Sequence, residues 1–391
     1  DSAWVRSPLQ PTVITSTVDQ VGSRLLFRGY GVSDSSKPMH AALVGNDALI
    51  LLDEAHCARP FDQTMTLVRK YREWTSKPEG RIPLPFHFVT MTATPGADVP
   101  AADIERLGTD DRKHPVLGRR IVASKRAGLV VAAKAKGAKW RDELVTELVA
   151  QTKRLQAGDT QAIGVIVNRV ATARKVAELL RAPLQKALDA ARAEPDTEKR
   201  QAMEAEARAK APDIILLTGR MRPVDRDAIM EKLQPMLSNS PKAIDRPTFV
   251  VATQTIEVGA DLDFHALVTE CASLDALRQR FGRLNRVAAR DKAGAVIVVR
   301  ADQTEPAKDD AHADPVYGNS LAKTWQWLTE RAKDVPVEQV VAAAESGEGK
   351  RKSKGARGKK AAASGTPASA SAARVIDFGV EAMETLTKSM T

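Results

Sequence analysis

The sequence has little of several things, and each shortage excludes a class. Only two of its 391 residues are cysteines, Cys57 and Cys271, so it is neither a disulfide scaffold nor a self-contained cysteine zinc finger. Aromatic residues make up 4%, and no stacking platform for nucleic-acid bases stands out. No apolar run approaches the ~20 residues of a membrane-spanning helix. A signal peptide's charged-then-apolar start is missing, so a reducing cytoplasm is the expected compartment. None of the six histidines (His40, His56, His87, His114, His265, His312) is followed by Asp, and their spacing forms no metal-ligand cluster. What is present suits packed domains with a soluble surface: 43% hydrophobic residues, 28% charged residues and a mean hydropathy of -0.28. The length predicts one very large domain or two to three ordinary ones.

The net charge of +10 is unevenly placed. Between residues 346 and 374, Lys350, Arg351, Lys352, Lys354, Arg357, Lys359, Lys360 and Arg374 face only Glu348, a net +7 that leaves +3 for the rest. This stretch is rich in Ala, Gly and Ser and has no aromatic residue, so it cannot bury enough surface to offset chain entropy. It reads as a disordered linker, either a plain tether or one that adds nonspecific phosphate affinity.

Elsewhere, short apolar runs alternate with helical periodicity. Pro11–Thr17, Asp47–Leu52 and Phe86–Met91 read as strands, with a helix over Phe61–Trp74. A second set follows: helices over Trp140–Leu155, Val170–Leu180 and Leu274–Asn285, and strands at Ala162–Val167, Ile214–Leu217, Thr248–Ala252, Ala266–Glu270 and Ala295–Val299. Alternating strands and helices predict parallel α/β sheets, here in two domains. Residues 183–212, charge-rich and poor in large apolar side chains, read as an exposed helical excursion.

Four motifs carry chemistry. Asp53-Glu54-Ala55-His56 ends a buried strand, where α/β sheets place ligands. One carboxylate can hold Mg²⁺ through water and its neighbour can take a proton from an attacking water. Thr92-Ala93-Thr94 ends the next strand, and its hydroxyls can bond the carboxylate turn. Thr253 to Asp261 follows another strand tip; its hydroxyls and Gly259 can meet a nucleic-acid backbone, and Asp261 a ribose or the arginines. In Gln279-Arg280-Phe281-Gly282-Arg283-Leu284-Asn285-Arg286, positions 279, 283 and 286 share one face of the expected helix. Two arginines converging there suit a polyphosphate. Gly282 weakens a helix and calls for a reason, such as close approach of another backbone.

In this order the motifs resemble the superfamily 2 helicase core, in which two RecA-like domains clamp ATP and nucleic acid. The resemblance covers about residues 13–299, with Val165-Ile166-Val167-Asn168 similar to motif IV. It implies Asp53 for Mg²⁺, Glu54 as general base, Gln279 near the γ-phosphate, and Arg283 and Arg286 as arginine fingers. His56, Thr92 and Thr94 would couple hydrolysis to domain motion. Gly259 and Asp261 would meet the cofactor, and Thr17, Arg220 and Thr253 the nucleic acid. A narrower resemblance rests on Ser16-Thr17-Val18-Asp19-Gln20, on Gly22 to Gly31, on Asn46 to His56 with Arg59-Pro60-Phe61, and on Leu217 to Pro223. These look like the helicase–nuclease of type I CRISPR systems, closest to subtype I-U or I-G. That family is recruited by an RNA-guided surveillance complex in antiviral defence. It moves along displaced single-stranded DNA while a metal-dependent HD nuclease domain, expected downstream in this subtype, cuts it.

The resemblance sets the expected layout. Residues 1–120 form a first RecA-like domain truncated at its N-terminus, and residues 121–305 a second with the insertion at 183–212. Residues 306–345 form a helical extension, 346–374 the basic linker and 375–391 the stub of a further element. No G-x-x-x-x-G-K-[ST] phosphate loop occurs, and Gly347-Glu348-Gly349-Lys350-Arg351 lacks its hydroxyl and follows no strand. The sequence therefore reads as a fragment lacking both that loop and the nuclease. The alternatives are another superfamily 2 helicase acting in DNA repair or on RNA, and a nucleic-acid- or partner-binding module without ATPase activity.

Overall fold

The structure, a computed structural model, describes all residues except 1–2, 8, 73–83, 93–98, 100, 157–159, 220–221, 241–242, 258–260, 291, 309–312, 337–371 and 389–391. Most of the expected basic linker lies outside the described residues. The chain divides into two α/β units, Asp1–Arg106 and Leu107–Thr391, so the division falls before the expected residue 120.

In unit 1, helices α1 (Ala3–Arg6), α2 (Val18–Leu25), α3 (Lys37–Gly45) and α4 (Arg59–Arg72) accompany a parallel pair of strands, β1 (Ala48–Leu52) and β2 (Phe86–Thr90). Leu25, Leu52, Phe61 and Met65 form its core. The strand expected at Pro11–Thr17 is absent. Thr17 instead caps α2, its hydroxyl accepting the Gln20 N–H at 3.4 Å. A hydroxyl that bonds the local backbone competes with a strand ladder, and Pro11 removes one ladder donor.

Unit 2 is built on an eight-stranded sheet. Its strands are β3 (Ser124–Ala132), β4 (Ala162–Ile166), β5 (Asp213–Leu217), β6 (Thr248–Ala252), β7 (Ala266–Glu270), β8 (Lys292–Arg300), β9 (Lys333–Pro336) and β10 (Ala372–Asp377). The order is β5-β6-β4-β7-β8-β3-β10-β9, parallel throughout except for β10. Every residue of β4, β6 and β7 is buried, as central parallel strands require. Helices α7 (Trp140–Leu155) and α8 (Val170–Arg192) cover one face through Leu148, Val176 and Leu180. The other face packs α11 (Leu274–Phe281) and α12 (Ser320–Arg331) through Leu277, Phe281 and Trp325.

Three features depart from the sequence reading. Helix α8 runs on through Pro183 to Arg192, and the charged excursion is completed by α9 (Thr197–Lys210), which buries no residue. Strand β3 went unread because its charged start, Ser124-Lys125-Arg126, hides the apolar run behind it. Finally, the expected stub is part of this unit: β10 pairs antiparallel with β3, and α13 (Val380–Lys388) follows it. Phe378 stacks on Phe281 with ring centroids 3.9 Å apart, a contact that fixes the end of α11. Among the described residues, the other α-helices of the unit are α5 (Thr109–Lys113), α6 (Leu117–Val122) and α10 (Pro223–Leu233). No helix among the described residues is long and apolar enough to cross a membrane.

Candidate functional site

Unit 1 carries a carboxylate turn at the end of β1. The apolar strand stops at Leu52, and Asp53 accepts the Glu54 N–H at 2.9 Å. Glu54 sits at φ +50°, a left-handed conformation uncommon outside glycine, held by the structure on both sides. Met91 donates its N–H to Leu52 at 2.8 Å and Ala55 donates to Met91 at 3.1 Å, so the turn is stitched to the end of β2. The side chains meet there as well. His56 Nδ1 lies 3.2 Å from the Thr92 hydroxyl and 3.5 Å from Glu54 Oε2. Asp53 is exposed. Among the described residues no three His, Cys, Asp or Glu side chains gather as a metal cage. A single exposed carboxylate fits Mg²⁺ that brings its own waters and phosphate oxygens, the usual way this ion is held. Thr94 lies outside the described residues.

Unit 2 offers a groove of about 550 Å³ at the carboxyl ends of its central strands, lined by Val170, Arg174, Thr218, Gly219, Thr253, Gln254 and Thr255. It opens at the first turn of α8, where free backbone N–H groups and the helix dipole favour an anion. Arg174 is exposed and has no hydrogen-bond partner among the described residues. Thr253 is buried in the floor, its N–H donating to Leu217 at 3.3 Å. Arg220 and Gly259 lie outside the described residues.

The arginine segment differs from its expected form. Helix α11 ends at Phe281 with Gly282 as its cap, so Arg283 and Arg286 do not share a helix face with Gln279. The chain turns because Leu284 bridges Phe264 and Asn285 adopts φ +44°. Among the described residues, the three atoms nearest a Cβ added at Gly282 all belong to its own last turn, so no second backbone is the reason for this glycine. Gln279 is half-buried on α11. Arg283 is buried and donates to the backbone oxygens of Ile256 (3.1 Å) and Glu257 (2.8 Å). Arg286 pairs with Asp261 at 2.7 Å, and its N–H donates to Asp263 at 2.6 Å. The hydrogen bond from Ser238 holds the Asp261 carboxyl below the usual range, with Arg286 and Arg283 adding to it.

Arg280, passed over in the sequence, is fully buried. Its five N–H groups meet Glu257 (2.8 Å), the Thr269 hydroxyl (2.8 Å), the Glu270 carbonyl (2.8 Å), Asn168 Oδ1 (2.9 Å) and the Tyr317 hydroxyl (3.0 Å). Burial raises the Glu257 carboxyl, with Arg280 pulling against it. The overlooked signal was its place in the apolar stripe Ala276, Leu277, Phe281 of α11, where an arginine must be fully paired. Asn168, by contrast, was read at the right strand tip. Its side chain donates to the Cys271 carbonyl at 2.8 Å while its oxygen accepts from Arg280.

Residues 159–289, which hold this groove and the arginine turn, match a protein family described as CRISPR-associated nuclease/helicase Cas3, C-terminal. The match covers this segment of unit 2 alone, about a third of the chain. The crystal structure of T. fusca Cas3 aligns with 87% of this chain and 39% of its own, at 16% identity and a TM-score of 0.46. A CRISPR RNA-guided surveillance complex, pre-nicking, aligns over 84% of this chain and 39% of its own, also at 16% identity and 0.46. S. cerevisiae Dbp5 bound to RNA and ADP BeF3 aligns over 64% and 52%, at 13% identity and 0.33. The chain spans 23% and 39% of two T. fusca Cas3 chains it matches. No curated protein sequence matches it.

Proposed function

We propose that this Cas3-related chain serves an ATP-dependent translocase that moves on single-stranded DNA in type I CRISPR interference. The observation that carries the reading is the groove at the tips of β4, β5 and β6. It combines a helix N-terminus, the unpartnered Arg174 and small hydroxyl side chains, which is a donor set for a sugar-phosphate backbone rather than for base edges. In unit 1 the reading gives Asp53 to Mg²⁺ and Glu54 to the attacking water. The Glu54–His56–Thr92 contacts fix the orientation of that carboxylate. Gln279, Arg283 and Arg286 are assigned to the phosphates. When bound, ATP with Mg²⁺ supplies the phosphoanhydride bond whose hydrolysis drives movement. Thr17, Arg220 and Thr253 are assigned to the strand, Thr94 to coupling, and Gly259 and Asp261 to the nucleotide. The partners in this reading are a surveillance complex and an HD nuclease domain.

A second reading is a nucleic-acid-binding module without turnover. It is favoured by the arginines, since Arg283 is engaged by backbone carbonyls and Arg286 by Asp261. One experiment separates the two: binding of a fluorescent oligothymidylate across a salt series, followed by DNA-stimulated ATP hydrolysis beside a Glu54→Gln control. Turnover that Glu54→Gln abolishes supports the translocase. Binding without turnover supports the module. In either case Arg174→Ala should lower the salt slope by about one ion. No binding at all rejects both.

A further inference from the structure

Tyr317 lies outside the Cas3-matched residues 159–289, in the segment that follows β8, yet its hydroxyl reaches the middle of the buried network. It accepts from Arg280 at 3.0 Å and from Gln254 Nε2 at 3.5 Å. The same Gln254 amide donates to the Asn168 carbonyl at 3.1 Å, and Gln254 lines the groove. One phenol therefore joins a groove residue to the buried arginine of α11. Its own seat is built. Asp314 accepts the N–H groups of Val316 (2.9 Å) and Tyr317 (3.0 Å), and its other oxygen pairs with Arg169 at 2.8 Å. Arg169 follows Asn168 directly and immediately precedes the first residue of α8. Gln303 donates to the same carboxylate at 3.0 Å, and the Asp314 side chain is only 3% exposed.

We infer that Tyr317 is a positioning residue through which the segment after β8 sets the groove-facing amide of Gln254 and the Arg280 hub. This role rests on the reading of the groove as a site for single-stranded nucleic acid. A free Gln254 amide would rotate and meet water. Held between the Asn168 carbonyl and the phenol, it presents one fixed face to a strand in the groove. Fixing a contact residue before binding removes an ordering cost from the bound state.

The test uses the full chain with Tyr317→Phe, which keeps the ring and removes only the hydroxyl, alongside Gln254→Ala and the double variant. Oligothymidylate affinity is measured by fluorescence anisotropy, and amide hydrogen exchange is followed over residues 253–257. Tyr317→Phe should weaken binding ~3- to 10-fold, the worth of one hydrogen bond, and speed exchange at 254–257. The double variant should bind no more weakly than Gln254→Ala, because Tyr317 acts through that amide. Additive losses, or unchanged affinity with exchange altered only near 313–320, would show a merely structural tyrosine and overturn the inference while the groove reading stands. A parent chain that binds no strand overturns both.

Discussion

Arg286 Nε stands 2.7 Å from the carboxylate of Asp261, so the arginine assigned to phosphate is already paired within its own unit. Both side chains remain well exposed, 39% and 49%, and an exposed pair of this kind holds by about 1 kcal/mol or less. A polyphosphate with several charges can displace such a partner, so Asp261 acts as a competitor for the guanidinium. Asp261→Asn should tighten binding of inorganic tripolyphosphate to the chain, by up to about fivefold. Arg286→Ala should weaken it and cancel the gain in the double variant. Titration calorimetry decides the matter, and an Asp261→Asn chain that binds no tighter removes Asp261 from this role.

Arg280 is a different kind of arginine, with all five donors used and no exposure. An ammonium cannot replace that planar fork, so Arg280→Lys should behave almost as a deletion. Glu257 and Asn168 would be left with unmet hydrogen bonds. We expect a loss of about 3–5 kcal/mol in urea unfolding of unit 2, and a smaller further loss when Glu257→Gln is added. A cost below about 1 kcal/mol would mean that water enters the network and satisfies it.

The difference between these two arginines explains how far the sequence could be read. Fold class was legible because β4, β6 and β7 are uninterrupted apolar runs with both faces buried, a local signal of position in a parallel sheet. The carboxylate turn was legible because the apolar run stops at Leu52 and Asp53 begins the turn, but β1 is not the doubly buried strand that run predicts, since Leu49 and Leu51 are exposed. The arginine segment was not, because its geometry is tertiary. Gly282, the bridge from Leu284 to Phe264 and the left-handed Asn285 break the helical periodicity that placed 279, 283 and 286 on one face. Strand β10 was missed for a related reason. Its pairing with β3 spans more than 240 residues, and Phe378, which follows it, packs on Phe281 in another motif.

Lys125 gives the second unit a pH-dependent stability. It is buried on β3, and its ammonium donates to the Phe281 carbonyl at 2.9 Å, at the end of α11. Burial pushes its pKa from 10.5 down to about 8; Asp263 and Asp377 pull it back up, and Arg286 pushes it further down. Between these values the unfolded chain keeps a proton that the folded chain has released, so stability rises with pH across that window. Below pH 8 both states are charged and the full burial cost applies. The rise amounts to roughly 3 kcal/mol. Urea midpoints from pH 7 to pH 10 should therefore climb in the parent relative to Lys125→Met. A constant difference between the two proteins would show that the lysine does not titrate in this range.

Gly164 lies in β4 directly beneath Phe264, and a Cβ added there would meet the ring at 2.8 and 2.9 Å. Neither partner can step aside cheaply. β4 is hydrogen-bonded on both edges, to β6 and β7, while the Phe264 backbone bonds the arginine turn through Arg283 and Asn285. Gly164→Ala should therefore cost ~1–3 kcal/mol through overpacking, more than alanine's better fit to a strand returns. It should also displace the arginine turn, since Phe264 accepts the Asn285 N–H at 2.8 Å and donates its own N–H to the Arg283 carbonyl at 2.8 Å. Phe264→Leu in the same chain opens space beneath the strand, so the double variant should be more stable than the sum of the single losses allows. Thermal melts of the four proteins test the coupling, and strict additivity would mean that the strand relaxes without pressing on the ring.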